Sequence, residues 1–117
     1  MEIKELVKQA HENAAEHGFW EDYEFAKYIT SLGLHGEDGR QGYLNAIGNR
    51  LMLIVGEVSE AHEGLRKNDL DNFREEIADI AIRLADLCGG LDIDLEAEIL
   101  KKMEYNKARP WKHGKEF

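Results

Sequence analysis

The chain of 117 residues predicts an all-α fold, an antiparallel bundle of about four to five helices. Three observations carry that expectation. Apolar residues recur at spacings of three and four along most of the chain, which is the period of one helical face. No stretch alternates apolar and polar residues for long enough to make a half-buried strand. Glycine-rich and Asn-Asp segments fall between the periodic stretches, and Pro110, the one proline, follows the last of them.

The elements follow in order. Ile3, Leu6, Val7, Ala10, Ala14 and His17 share a face, and Gly18 stops the run, so the first helix is expected over residues 2 to 17. A weaker helical stretch covers residues 22 to 31. After it SLGLHGEDGRQG, residues 31 to 42, carries four glycines among polar side chains and is read as a Gly-rich loop. The longest periodic segment runs from 43 to 67, with Leu51, Ile54, Val55, Val58, His62 and Leu65 on one side. Asn68-Asp69 breaks it, Asp71 is the expected N-cap of a helix over 72 to 87, and Gly89-Gly90 is the expected end. A last helix over 95 to 109 opens on Asp92, Asp94 and Glu96, which suit the positive end of its dipole, and closes before Pro110. Residues 110 to 117 read as an irregular tail. One domain spans 1 to 117, and so small a core is expected to be completed by oligomerisation.

Composition narrows the function. A formal net charge of −9 disfavours a sequence-independent grip on nucleic acid, because such binding depends on Lys and Arg neutralising phosphates. An acidic protein can still take a polyanion when a divalent cation bridges the two. Cys88 is the single cysteine, which rules out an intramolecular disulfide and a Cys-based zinc site and fits a reducing cytoplasm. The first residues mix charges into every turn, and no long apolar run occurs, so neither export nor a membrane span is expected.

Acids three apart on a helix lie about 60° apart on its surface, close enough to converge on a hard cation such as Mg²⁺. Spacing alone is weak evidence in a chain with 24 acids: five such pairs occur, as many as chance would supply. Context singles out Glu57/Glu60 and Glu76/Asp79. Glu57 follows LMLIVG, and Asp79 lies inside IADIAIRLADL, where an unpartnered carboxylate is costly. The 15 residues between Glu60 and Glu76 allow two helical turns, a tight connection and a return, which brings the pairs to one level of an antiparallel bundle. Arg83 and Asp86 continue the stripe of Glu76 and Asp79. On the last helix Lys102, Asn106 and Arg109 lie within about 60° and could face a phosphate chain, or form an ordinary basic face near a helix C-terminus.

The pattern Glu57-x-x-Glu60 followed by Glu76-x-x-Asp79 resembles the E-x-x-E…E-x-x-D signature of the MazG-like all-α nucleoside triphosphate pyrophosphohydrolases, and KMEYNKARPWKHGKEF looks like the tail of their small members. The resemblance covers residues 51 to 117 and is looser before them. It implies that the four acids bind Mg²⁺, that the metal engages the triphosphate, and that water cleaves between the α and β phosphates to release nucleoside monophosphate and pyrophosphate. It also implies Lys102, Asn106 and Arg109 as phosphate ligands and a homodimer or homotetramer. Glu57 or Glu60 is the expected holder of the attacking water. His11 and Trp20 are similar to a His/Trp pair that contacts the base in the deoxycytidine-triphosphate-cleaving branch, although Trp20 and Phe19 could equally pack as core. The long stretch between Trp20 and Leu51 departs from that branch and leaves the base open.

Two rivals come from other classes. A carboxylate-bridged di-iron protein needs Glu-x-x-His pairs. None of His11, His17, His35, His62 and His113 has a glutamate three residues before it. A non-catalytic helical interaction module would carry the same acids as solvated surface charge.

Overall fold

The computed structural model describes residues 1–33 and 37–116. Among them the chain forms α1 (Ile3–Glu16), α2 (Glu21–Ser31), α3 (Glu37–Arg66), α4 (Leu70–Gly90), α5 (Leu95–Lys107) and a 3-10 turn, Trp111–Gly114, with no strand. The all-α expectation holds. None of these helices is long and apolar enough to cross a membrane.

Gly18 ends α1 with φ +82°, a left-handed conformation that glycine adopts without strain. It swings Trp20 under α1 as α2 begins. Asn68, at φ 55°, turns the chain between α3 and α4. There Asp69 Oδ1 accepts from the Asn72 amide at 3.1 Å, so Asp69 caps α4 in place of the expected Asp71. Asp71 lies inside the first turn and pairs with Arg74 at 3.2 Å. Asp94 caps α5 in the same way, accepting from the Ala97 amide at 3.0 Å.

Two boundaries differ from the sequence reading. Residues 37–42 of the expected Gly-rich loop are helical and extend α3 at its N-terminal end; positions 34–36 lie outside the described residues. Packing against α2 outweighs the low helix propensity of glycine here. A Cβ at Gly42 would touch Ala26 at 3.7 Å, and the exposed side chains of Gln41 and Asn45 bond at 2.9 Å. α4 does end at Gly90, but Gly89 and Gly90 lie inside the helix as its last turn, beyond the expected limit at residue 87. Their lack of a side chain is used for close approach. A Cβ on Gly89 would lie 2.5 Å from that of His11, and one on Gly90 would overlap the Trp20 indole.

α4 packs against α3 on one side and α1 on another, α2 lies on α3, and α5 meets α1. The core gathers Trp20, Tyr23, Ala46 and Leu87, with the Trp20 and Tyr23 rings edge to face at 5.0 Å. On α3 the stripe turned inward is Ala46, Arg50, Ile54, Glu57, Ala61 and Gly64. Of the apolar side expected from the sequence, Ile54 belongs to this stripe, and the rest lies one residue round, about 100° away. Leu51, Val55, Val58 and Leu65 on it are each about half exposed.

Candidate metal centre

α3 and α4 run antiparallel from the Asn68 turn, which sets Glu57 level with Glu76 and Asp79. Carboxylate oxygens of these three lie within 4.8 Å of one another. Glu76 is only 8% exposed, and its Oε2 is buried with no hydrogen-bond partner. Such an orphaned oxygen among acids is the complement a cation would supply. Three hard oxygen donors suit Mg²⁺, Mn²⁺ or Ca²⁺ rather than a soft metal.

The electrostatics follow from crowding. Hydrogen bonding to Glu57, then burial and the charge of Glu60, push the Glu76 carboxyl up to about 7. The same bond, with help from Arg83, holds Glu57 below the usual carboxylate range. Glu60 is exposed and stands outside the three converging acids, yet near enough to raise Glu76.

A cavity of 710 Å³ adjoins the acids, lined among others by Glu57, Asp79, Arg83, Asp86, Asn49 and Phe19. From Asp79 to Asp86 it follows α4 for about 10 Å, at 1.5 Å per helical residue. Asp86 closes the far end. Its Oδ1 accepts from Trp20 Nε1 at 2.8 Å and lies 3.1 Å from His11 Nδ1. Arg50, which the sequence reading missed, is buried over the Trp20 ring at 4.0 Å. It donates to Asp22 Oδ1 and to the Phe19 carbonyl, both at 2.7 Å.

His11 and Trp20 are thus brought together, with ring centroids 5.0 Å apart. Trp20 is 3% exposed, with Arg50 on its face, so it is a core residue without a free ring face for stacking. Phe19, beside it, is exposed and lines the cavity. Lys102 and Arg109 flank the Tyr105 ring at 4.7 and 5.5 Å, and Asn106 Oδ1 is buried without a partner. Yet no α5 residue lines the cavity. Within one chain the basic stripe and the acids remain apart.

Arg50 could have been suspected from its place on the α3 stripe that continues to Glu57, seven residues on. Asp86 stands seven residues from Asp79 on α4. In both cases the partner belongs to another helix, which spacing does not reveal.

Comparison of the chain with protein-family models, with curated proteins and with solved structures gives no match in any of the three.

Proposed function

We propose that this protein is a Mg²⁺-dependent nucleoside triphosphate pyrophosphohydrolase, converting a (deoxy)nucleoside triphosphate and water into the monophosphate and pyrophosphate. The observation that carries the reading is the convergence of Glu57, Glu76 and Asp79, one oxygen of which is orphaned, at a cavity of 710 Å³. The resemblance of the four acids to the MazG-like signature supports it. Glu57, Glu76 and Asp79 would hold the ion, with Glu60 completing the set once Glu76 gives up its proton. A divalent ion held there would supply positive charge against the triphosphate and lower the pKa of a water. Glu57 or Glu60 would orient a water and take its proton for attack on the α phosphorus, in line with the leaving pyrophosphate.

Lys102, Asn106 and Arg109 enter this reading as phosphate ligands supplied by a neighbouring copy, because no α5 residue lines the cavity of its own chain. A homodimer or homotetramer is therefore part of the proposal, as are a cytoplasmic setting and a role in clearing nucleotide pools. The base is left to the far end of the cavity, around Phe19 and Asp86.

A second reading, a non-catalytic helical interaction module, is favoured by the exposed apolar stripe of α3. One experiment separates the two. Pyrophosphate release is measured from a panel of canonical and modified triphosphates with Mg²⁺, for wild type, Glu60→Gln and Asp79→Asn. The hydrolase reading expects Asp79→Asn to lose activity by about 100-fold or more with the helical fold retained, since even outer-shell changes at metal sites cost 10- to 100-fold. Glu60→Gln should fall comparably. Absence of cleavage across the panel leaves the interaction module, and full activity in both variants overturns the metal-site assignment.

A further inference from the structure

Arg83 is the cation closest to the acids, and its bonding is incomplete. Its Nε donates to Glu57 Oε1 at 2.8 Å. The side chain stays 39% exposed and lines the cavity, and among the described residues neither η nitrogen has a hydrogen-bond partner. The guanidinium is a planar fork whose η edge suits two oxygens of a phosphate. The other cationic residue of the cavity wall, Arg50, has both η nitrogens engaged by Asp22 and by carbonyls of Phe19 and Ala46.

The wall otherwise carries Glu21, Asp22, Glu57, Asp79 and Asp86, so the cavity is anionic on balance. A polyphosphate would be repelled from it until a divalent ion is in place. An ion at the three acids has Arg83 as its neighbour. Both then present positive charge to the same side of the cavity.

We propose that Arg83 is the phosphate-binding residue that each chain supplies to its own cavity, holding Glu57 through Nε while its η nitrogens take a phosphate oxygen of a metal-bound polyphosphate. The assignment rests on the metal-centre reading given above and deepens it. It also gives Arg83 two opposed effects. In the absence of polyphosphate its charge and its bond to Glu57 compete with the metal. Once polyphosphate is bound, it adds a charge-assisted contact.

Those opposed signs are the test. Mn²⁺ binding is followed by electron paramagnetic resonance, and inorganic tripolyphosphate binding to the Mn²⁺-loaded protein by calorimetry, for wild type, Arg83→Gln and Arg83→Lys. Arg83→Gln should bind Mn²⁺ alone at least as tightly as wild type, yet bind tripolyphosphate on the order of 10-fold more weakly, the value of one or two charge-assisted bonds. Arg83→Lys, which keeps the charge and loses the fork, should fall between. A purely structural role would weaken both ligands together, and that result overturns the assignment. So does unchanged tripolyphosphate affinity in Arg83→Gln, or no binding to the wild type. If the Arg83 signature appears but no nucleoside triphosphate is cleaved, the hydrolase reading fails and the phosphate site stands. Cleavage with tripolyphosphate affinity indifferent to Arg83 gives the reverse.

Discussion

Glu76 shows how burial turns a helix-surface acid into a titrating group near neutrality. Near pH 4.5, its ordinary value, the carboxyl is about half ionised when unfolded; in the folded chain the proton is kept until about pH 7. Between those values the folded state binds more protons than the unfolded one, so the stability of the metal-free protein falls as pH rises through the window. Glu57, shifted the opposite way, loses its contribution only below its ordinary value of 4.5 and does not offset the change. Melting temperatures of metal-free protein should therefore decline from about pH 5 to about pH 7.5, and Glu76→Gln should flatten the decline. Mg²⁺ should restore the loss in wild type at the upper end, since the ion requires the deprotonated carboxylate. Equal pH slopes in wild type and Glu76→Gln would show that Glu76 is not the group responsible. At this scale the acids were legible in the sequence through their apolar neighbours. Arg83 and Asp86 could be placed on the right stripe but given no role, because their roles come from Glu57, Trp20 and His11 on other helices.

At the scale of elements, periodicity located all five helices, and besides the cap of α4, which is Asp69 and not Asp71, the errors fall at glycines. Gly18 lies just past the end of its helix, whereas Gly89 and Gly90 are the last helical residues of theirs, and Gly39 and Gly42 lie inside α3. Glycine weakens a helix by about 1 kcal/mol relative to alanine, a preference that tertiary packing readily outweighs. Whether a glycine stops a chain or lets another pass close depends on what lies opposite, which a single sequence does not contain. The same substitution should accordingly take opposite signs at two helical glycines. Gly90→Ala drives a methyl into the buried Trp20 ring and should destabilise by about 1 to 3 kcal/mol through overpacking. Gly56→Ala meets nothing within 4 Å and lies on the polar side of α3, so it should stabilise by about 0.5 to 1 kcal/mol. Urea unfolding of the two variants measures both. A stable Gly90→Ala would mean that Trp20 is not seated against α4 as described, and would loosen the account of the Asp86 end of the cavity.

The whole molecule is larger on its surface than its mass warrants. It exposes 8946 Å², where a folded monomer of 13.4 kDa exposes about 6,500 Å². Its radius of gyration is 17.5 Å against about 13 Å for a compact chain of this length. Much of the excess is apolar and ordered. Leu44, Leu51, Val55, Val58 and Leu65 follow one another along α3 in heptad-like steps, and Leu70, Ile77 and Leu84 do so along α4 at seven-residue intervals. Apart from Ile54, the inward stripe of α3 is occupied by small and polar residues, so most of the strongest hydrophobic signal in the sequence pointed to a face that one chain leaves uncovered. Periodicity identifies an apolar face without saying whether it is buried within the chain or by a second one. A partner copy docking its own α3 and α4 on this face would close a bundle and bury an area of the size found in obligate dimers, roughly 2,000 Å² or more. It would also offer a place from which a second α5 could approach the cavity. Sedimentation equilibrium should accordingly find a dimer or tetramer at micromolar concentration. The double variant Leu44→Lys/Leu51→Lys, altered on the exposed stripe ahead of the acids, should shift to monomer and lose pyrophosphate release together with association. A monomeric wild type, or a monomeric variant with full activity, would sever the link between the exposed seam and the site.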